Sequence, residues 1–428
     1  MVRMSTSPPP VAGPGELFHL VRPGTDVVVP MSNGEPRAFL DELEARADDL
    51  ADVRIHQMHP VRPRRFHGPD AGGVRYVSYF LSPLLRDAFA EGHVDLVPND
   101  FHAVPSLVRR RSGDLLLVAA ASPPDRHGFV SMGVTADYAA ALLGECPVVV
   151  EVNPSMPRVA GLHNFPLSMA EGWYEADTPL VPLPEPEVTE VDRAIAELVA
   201  AEVPDGATLQ IGIGAVPGLV AGLLGDHRGL GVHTELLGDS VMRLVDSGAV
   251  SGHGKVRERG LVTTTTALGS SDFYDWMDQN GGVFLLPVDI SNDPRIISSQ
   301  PKMCAINATM QVDLLGQCAS ESLGHHYVSS TGGQADFLRG AQLCEDGRSF
   351  IVTHSTAVEG TVSRIVPSLS EGAVVTAHKN LIDRVVTEYG IAELTGLTIR
   401  DRAEALIGIA HPDFRDGLSD AADRLGYR

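Results

Sequence analysis

Short runs of apolar, mostly β-branched residues recur along the chain and alternate with longer amphipathic segments. The runs DVVVP (26–30), DLLLVAA (114–120) and PVVVEVN (147–153) are apolar on successive positions. Strands that are buried on both faces have this pattern, as in a parallel sheet covered by helices. Helices are predicted between the runs, at EPRAFLDELEARADDL (35–50) and around DYAAALLGE (137–145). The pattern therefore predicts an α/β fold with mostly parallel sheets.

A proline-rich, acidic stretch, TPLVPLPEPEVTE (178–190), interrupts the alternation. Because proline lacks the amide donor that regular structure needs, this stretch is typical of an extended linker. After it we predict a helix at DRAIAELVAAEV, a strand at TLQIGIG, a helix from Val216 to Leu224, and strands at GLGVHTE, VFLLPV, SFIVTH and GAVVTAH. The two halves thus predict two tandem, similarly folded open α/β domains, residues 1–186 and 187–428, with a ligand cleft between them.

Length and charge support two domains and argue against nucleic acid as a partner. The chain has 428 residues, whereas a single core stops growing at about 250 to 300 residues. It carries 55 acidic and 33 basic residues, a formal net charge of -22, and the basic residues are spread along the chain. Such a surface repels a phosphate backbone, although a few basic residues can still receive a small phosphorylated ligand.

The cysteines and the N-terminal residues indicate the cellular compartment in which the protein is expected. Cys146, Cys304, Cys318 and Cys344 lie far apart and have no zinc-site spacing, so we expect reduced thiols and no metal site. The N-terminus lacks the apolar core of a signal peptide, and no run of about 18 apolar residues occurs. We therefore expect a cytoplasmic protein that has no membrane partner.

Two glycine-containing turns are candidates for ligand binding. In TLQIGIGAVPGLVAGLL a strand leads through GIGA (212–215) into a helix, where free amides favour an oxyanion or a phosphate. In SSTGGQADFLRGA (329–341) two glycines precede Gln334, Asp336 and Arg339. A tight turn without a ligand explains the first stretch equally well, and a β-turn with a local Arg339–Asp336 pair explains the second.

Three polar residues at the ends of apolar runs are candidates for catalysis. Glu235, in GVHTELLGDS, is predicted where a strand ends and a helix begins, so a helix-capping acid is the ordinary interpretation and catalysis the alternative. Asn292 in SNDPRII and Glu388 in VVTEYG are placed similarly, although Asn292 is also typical of a turn. Among the 16 histidines only His233 is close enough to Glu235 in sequence to matter to it.

Taken together, these stretches resemble the acetyl-CoA hydrolase/transferase family, the class I CoA-transferases that include 4-hydroxybutyrate, butyrate and acetate CoA-transferases. The resemblance covers nearly the whole chain. In the first half it rests on HQMHP (56–60), SPPDRHGFVSMG (122–133) and EVNPSMPR (151–158). In the second half it rests on GIGAVP, HTELLGDS, SNDPRII, INATMQVDLLGQ, TGGQADFLRGA, VVTEYGIAELTG and RAEALIGIAHPDFR.

The resemblance implies a ping-pong transfer of CoA between a short-chain acyl-CoA and a carboxylic acid, through a glutamyl-CoA thioester on Glu235. It implies that the amides of Ile213 and Gly333 stabilise the oxyanion, while Asn292 and Glu388 orient the reacting groups. It implies that CoA contacts two sets of residues, Ile211, Gly212, Ile213, Gly214 and Ala215 in one turn, and Gly332, Gly333, Gln334, Phe337 and Arg339 in the other.

The resemblance also implies a homodimer or homotetramer that acts on acyl-CoA and small acids without a tightly bound cofactor. Two alternatives stay open: an acyl-CoA hydrolase that uses the same glutamate, and a non-catalytic CoA-binding protein. The chain departs from the family pattern at Gly238-Asp239-Ser240 and at Ser329-Ser330-Thr331. Both departures lie beside a predicted site residue, and they leave the acyl specificity open.

Overall fold

The computed structural model describes residues 8–184, 186–212 and 214–427. The chain divides into two compact units: Met1–Leu183 with Thr263–Ser291, and Pro184–Val262 with Asn292–Arg428. The linker region thus lies at a division, but the segment Thr263–Ser291, inside the predicted domain 187–428, packs with the N-terminal unit. A single boundary between residues 186 and 187 stays a prediction.

The N-terminal unit begins with these elements: β1 (Thr25–Val28), α1 (Arg37–Ala45), β2 (Val53–His56), β3 (Val74–Ser78), α2 (Arg86–Ala90), β4 (Val94–Leu96), α3 (Val104–Arg111), β5 (Asp114–Ala121), β6 (Phe129–Ser131), α4 (Asp137–Ala140), β7 (Val148–Val152), β8 (Ala160–Gly161), β9 (Asn164–Pro166) and β10 (Gly172–Glu175). After the linker come α5 (Glu190–Glu202), β11 (Thr208–Ile211), α6 (Ala215–Leu223), β12 (Gly231–Val232), β13 (Leu236–Leu237) and α7 (Asp239–Asp246).

The chain continues with β14 (Val262–Thr264), β15 (Thr266–Ala267), α8 (Ser271–Met277), β16 (Val283–Leu285) and α9 (Val288–Ser291). The remainder consists of α10 (Pro294–Ile297), β17 (Met303–Ala308), β18 (Gln311–Asp313), β19 (Cys318–Ala319), β20 (Ser322–Leu323), β21 (His326–Tyr327), α11 (Gln334–Leu343), β22 (Arg348–Val352), β23 (Thr356–Ala357), β24 (Val362–Ser363), β25 (Ile365–Val366), β26 (Arg384–Thr387), β27 (Gly390–Glu393), α12 (Ile399–Gly408) and α13 (Pro412–Leu425).

The main sheet of the N-terminal unit has the order β10-β7-β5-β1-β2-β3-β4, and each adjacent pair is parallel. Its central strands carry the apolar runs DVVVP, DLLLVAA and PVVVEVN, and the side chains of β7 are buried along the whole strand. Continuous burial of this kind requires cover on both faces of the sheet. The mostly parallel α/β architecture predicted from these runs is therefore confirmed.

The main sheet of the C-terminal unit has the order β12-β11-β17-β22-β26-β27, and only the β26–β27 pair is antiparallel. Ile306 of β17 and Phe350 of β22 pack in one apolar cluster with residues of α5 and α6. Ile351 of β22 packs in another, with residues of α11 and α12. The five parallel strands present their carboxyl ends at one edge of the sheet, which is where open α/β folds bind ligands.

Two predicted elements differ from the structure. The helix around residues 137–145 is reduced to α4, whose four residues are buried. The predicted strand GAVVTAH (372–378) is wrong, because only Ala377 makes a β-bridge and Val375 is exposed. An apolar run forms a buried strand only where neighbouring elements cover it, and this run lacks such cover. Among the described residues, no helix has the length and hydrophobicity that crossing a bilayer needs.

Candidate active site

Glu235 lies between two short strands, β12 and β13, and not at the start of a helix. His233 and Thr234 before it are fully buried, and Glu235 itself is partly exposed. The next helix, α7, begins at Asp239 and has Gly238 at its N-cap, so the acid in its first turn is Asp239. The interpretation of Glu235 as a helix-capping acid of α7 is therefore wrong. The role of this acid therefore has to be sought in the contacts of its carboxylate.

Two groups from distant parts of the C-terminal unit hold the Glu235 carboxylate. Asn292 donates from Nδ2 to Glu235 Oε2 over 2.7 Å, and the backbone amide of Gly333 also donates to the carboxylate. Gly333 is the N-cap residue of α11, so the amide comes from the start of another helix. A Cβ atom on Gly333 would lie 1.8 Å from Glu235 Oε2 and 2.5 Å from Asn292 Nδ2. This close approach explains why the position requires glycine.

The turn that follows Asn292 uses the side chain of the neighbouring residue, Asp293. Asp293 is the N-cap residue of α10 and accepts from the backbone amide of Arg295 over 2.8 Å. Asn292 is fully buried and directs its amide to Glu235. A buried amide that donates to a carboxylate stabilises the ionised form of the acid. The turn that the sequence suggested at Asn292 is therefore present, but Asp293 supplies its side-chain contact.

The Glu235 carboxyl has an elevated pKa. Removal from water raises the pKa from 4.5 to about 7, because the ionised form loses hydration in this site. The hydrogen bond from Asn292 and the amide of Gly333 lower the pKa, whereas the nearby charge of Asp336 raises it. Asp336 itself is fully buried in α11. An acid balanced near neutrality between desolvation and two donors is typical of a functional site.

We expect Asn292→Ala to move the acid limb of the pH profile of kcat/KM to higher pH. The hydrogen bond from Asn292 favours the ionised carboxylate, so its loss raises the Glu235 pKa above about 7. A hydrogen bond to a charged group is worth about 1.5 to 3 kcal/mol, so activity should also fall by about ten- to a hundredfold. Steady-state rates measured from about pH 5 to about pH 9 give both the position of the acid limb and the loss of activity. Asn380→Ala, at an exposed asparagine, is the control. An unchanged acid limb in Asn292→Ala contradicts the attribution of that limb to Glu235.

The first glycine turn connects β11 to α6. Ile211 is buried at the end of β11, Gly212 and Gly214 are partly exposed, and Ile213 lies outside the described residues. Gly214 has a φ of 134°, a conformation that favours glycine, and is the N-cap residue of α6. Neither a side-chain cap nor an acidic first-turn residue is present in α6, whose first residue is Ala215. The amides at this helix start are therefore suited to an anionic group.

The second glycine turn connects directly to Glu235. Gly332 has a φ of 54°, Gly333 contacts the carboxylate, and Gln334 opens α11 with a buried Nε2 that has no hydrogen-bond partner in the described structure. Phe337 is buried in an apolar cluster with Ile297, Met303 and Ala305, and Arg339 is partly exposed. The structure thus brings Gly333 to the nucleophile candidate, whereas Phe337 packs in the core.

Glu388 follows β26 and is held by Ser355, which follows β22. Ser355 donates from its backbone amide to Glu388 Oε2 over 2.9 Å and from Oγ to Glu388 Oε1 over 2.5 Å. Both carboxylate oxygens are therefore fixed by a neighbouring strand end. The described hydrogen bonds link Glu235 with Asn292 and Gly333, and Glu388 with Ser355, so these form two groups at the carboxyl edge of the same sheet.

Comparison with known proteins places the chain in a family. The acetyl-CoA hydrolase/transferase N-terminal domain matches residues 6–197, and the C-terminal domain of the same family matches residues 269–422. The chain belongs to the acetyl-CoA hydrolase/transferase family. The resemblance noted in the sequence is thereby confirmed, and with it the two-domain α/β fold.

The most similar relatives include two named CoA-transferases. The succinyl-CoA:cyclohexane-1-carboxylate CoA transferase of Geobacter metallireducens is 42% identical, over 97% of this chain and 95% of that protein. The 4-hydroxybutyrate coenzyme A transferase of Clostridium kluyveri is 39% identical, over 92% of each chain. The crystal structure of RipA from Yersinia pestis matches with a TM-score of 0.93 at 35% identity, over 97% of this chain and 98% of that chain. The enzyme class of this family member is CoA-transferase.

Sequence reasoning missed a group of polar residues at the same edge of the sheet. A cavity of about 440 Å³ in the C-terminal unit is lined by Gly212 and Gly214 and also by Asp192, His354 and Arg364. His354 ends the apolar run SFIVTH, so the strand-end rule that selected Glu235 could have found it. Asp192 and Arg364 do not follow an apolar run, so the strand-end rule could not find them. Asp192 lies in the first turn of α5, and Arg364 lies between two short strands, β24 and β25.

Proposed function

We propose that this family member transfers CoA between a short-chain acyl-CoA and a carboxylic acid by a ping-pong mechanism, with Glu235 as the nucleophile. The observation that supports it is the Glu235 carboxylate, with a pKa of about 7, held by Asn292 and by the Gly333 amide. Above neutral pH the acid is largely ionised, as nucleophilic attack requires. The same two donors fix its orientation.

In the first half-reaction, Glu235 attacks the thioester carbonyl of the donor. The carbon–sulfur bond breaks, CoA leaves as a thiolate, and an acyl-glutamyl anhydride forms. The thiolate then attacks the glutamyl carbonyl of this anhydride, the bond to the acyl carboxylate breaks, and the first acid leaves. Glu235 now carries CoA as a thioester. An incoming carboxylate repeats these steps in reverse, so no net proton, redox equivalent or metal ion is needed.

Each attack produces a tetrahedral oxyanion that needs preorganised donors. Loss of one such donor typically costs about 2.7 to 4 kcal/mol of transition-state stabilisation. The amide of Gly333 already lies at the carboxylate, and we propose that the amide of Ile213 is the second donor. We propose that Asn292 and Glu388 orient the reacting groups, and that the predicted residues of the two glycine turns contact CoA. Ser355 donates to both carboxylate oxygens of Glu388, which supports a fixed orientation for this acid.

Trapping of the intermediate tests this proposal. Wild-type enzyme is incubated with acetyl-CoA, then with borohydride or hydroxylamine, and digested for mass spectrometry. We expect modification of the peptide that contains Glu235, because a glutamyl thioester reacts with both reagents and a free carboxylate does not. Modification of another acid contradicts the assignment. Enzyme without acyl-CoA is the control, since it carries no thioester.

The dependence of acetyl-CoA turnover on an added carboxylate separates a transferase from a hydrolase. We expect release of acetate from acetyl-CoA to stop after about one equivalent per active site, with CoA held on Glu235 as the thioester, until an acid is added, since water is not the acceptor. Release at full rate without any acid supports the hydrolase alternative. A screen with acetate, propionate, butyrate and 4-hydroxybutyrate then defines the acceptor, which we propose to be a short-chain acid. The N-terminal unit around residues 32–35, 76–80 and 156–158 is the proposed carboxylic-acid side.

The remaining assignments follow the same proposal. Acyl-CoA and small carboxylic acids are the partners, CoA is a substrate that is not tightly bound, and the enzyme acts in the cytoplasm as a homodimer or homotetramer. Light scattering on a size-exclusion column measures the oligomeric state directly, and a mass equal to the 45.6 kDa of one chain contradicts it.

A further inference from the structure

The cavity in the C-terminal unit combines an apolar wall with a cationic end. It has a volume of about 440 Å³ and lies at the carboxyl ends of β11, β17 and β22, next to the start of α6. Ile195, Val216, Ile306 and Val352 supply apolar surface. Arg364 lies at the same cavity. A pocket with this lining accepts an elongated ligand that has an anionic group at one end.

The Arg364 guanidinium has no carboxylate partner among the described residues. Its Nε contacts the carbonyl oxygen of Thr356 over 3.3 Å and its Nη1 that of Met310 over 3.4 Å, and both bonds are long. The Arg364 side chain is partly buried, and this burial lowers its pKa. A guanidinium offers five N–H donors, so most of its hydrogen-bonding capacity stays available. A partly buried cation with spare donors is a binding point for an anion.

The one acid among the described residues that line the cavity already has partners. Asp192 Oδ1 lies 2.8 Å from Nε2 of His354, and its Oδ2 accepts from the amide and the hydroxyl of Thr189 at the start of α5. Asp192 therefore fixes the His354 ring at the cavity and caps its own helix. These contacts account for both carboxylate oxygens, and the described residues show no salt bridge between Asp192 and Arg364.

The start of α6 adds amide donors to the same cavity. Gly214, Ala215 and Val216 line it, and the helix has neither a side-chain cap nor an acid in its first turn. Uncapped amides at a helix start carry a partial positive charge that favours phosphate. Two parts of the cavity therefore attract an anion: the Arg364 side chain, which carries a full positive charge, and this helix start, which carries a partial one.

We propose that Arg364 binds the diphosphate of coenzyme A while the pantetheine arm lies along the apolar wall of the cavity. This inference rests on the proposed transferase function and adds a binding residue to it. The carboxyl ends of β12, which leads to Glu235, and of β22 are three strand spacings apart, about 14 Å. The pantetheine arm separates the thiol from the diphosphate by a distance of this order. A carboxylate on a short acyl group is only a few bonds from the reacting carbonyl and does not reach so far.

Comparison of full-length and truncated thioesters tests the proposal. For Arg364→Ala we expect kcat/KM with acetyl-CoA to fall by about ten- to a hundredfold, the range for lost hydrogen bonds to a charged group. With acetyl-pantetheine, which lacks the diphosphate, Arg364→Ala and wild type should be equally active. Acetyl-dephospho-CoA, which lacks only the 3′-phosphate, should show the same loss as acetyl-CoA. Arg364→Lys should recover part of the activity.

Arg402→Ala is a matched control. Arg402 is also partly buried, its pKa is likewise lowered by burial, and it donates to two backbone carbonyls, but it does not line the cavity. We expect its substitution to affect acetyl-CoA and acetyl-pantetheine equally. An equal loss with both thioesters in Arg364→Ala overturns the proposal, because the side chain then acts through the fold. A loss confined to succinyl-CoA overturns it as well, since the anion is then the acyl carboxylate.

Binding of CoA to a Glu235→Gln variant separates this inference from the catalytic proposal. Calorimetry with CoA needs no turnover, and we expect Arg364→Ala in that background to weaken binding by about ten- to a hundredfold. Unchanged binding overturns the role of Arg364 and leaves the transferase function intact. Absence of CoA binding to Glu235→Gln with Arg364 present contradicts both.

Discussion

Glu235→Gln is expected to reduce CoA transfer by at least about a thousandfold, because the amide has no anionic oxygen with which to attack the thioester. The substitution keeps the size of the side chain, so the contacts with Asn292 and Gly333 need little movement. Initial rates with saturating acetyl-CoA and acid measure the loss. Glu345→Gln, at an exposed glutamate of the same unit, is the control and should match wild type. Turnover near the wild-type rate in Glu235→Gln rules out the nucleophile assignment.

The same variant should be at least as stable as wild type, and the difference should depend on pH. Folding raises the Glu235 pKa from 4.5 to about 7, so the folded protein holds the proton more tightly than the unfolded chain between these values. The free energy of unfolding therefore falls as the pH rises through this window and stays lower above it. Glutamine removes this contribution. We expect Glu235→Gln to unfold at a higher temperature than wild type at about pH 8, above this window, and at a similar temperature below its lower end.

Much of the fold could be predicted because its signals are local. The runs DVVVP, DLLLVAA and PVVVEVN are apolar on successive positions and form the centre of a parallel sheet. The run GAVVTAH also has apolar residues on successive positions and forms no strand, since cover by other elements is a property of the whole fold. The assignment of Thr263–Ser291 to the N-terminal unit is likewise a long-range choice that no local pattern encodes.

The candidate site shows the same division between local and long-range information. Position at the end of an apolar run selected Glu235 and Asn292, but the hydrogen bond between them joins residues 57 positions apart. The helix start that supports Glu235 was expected directly after it and comes instead from α11, nearly a hundred residues later. The three groups meet because tertiary packing brings them together. The sequence could therefore predict the candidate residues. Only the structure shows which of them donate hydrogen bonds to the Glu235 carboxylate.

Gly333→Ala is expected to disable the site with little effect on the fold. The φ of Gly333 is -91°, which alanine adopts without strain, so the cost comes from the added methyl group alone. That Cβ would lie 1.8 Å from Glu235 Oε2 and 2.5 Å from Asn292 Nδ2, far inside contact distance. Either the carboxylate moves or the start of α11 does, and both break the arrangement of carboxylate, amide and oxyanion donor.

A shift of about 1 Å in a reacting group typically costs about a hundredfold in rate, so we expect Gly333→Ala to lose at least about that factor in kcat. Gly417→Ala is the matched control, because Gly417 lies in α13 with open space around its Cβ position and should gain stability without losing activity. Circular dichroism and thermal unfolding of both variants check the fold. Near-normal kcat in a folded Gly333→Ala variant means that the Glu235 geometry is not what catalysis uses.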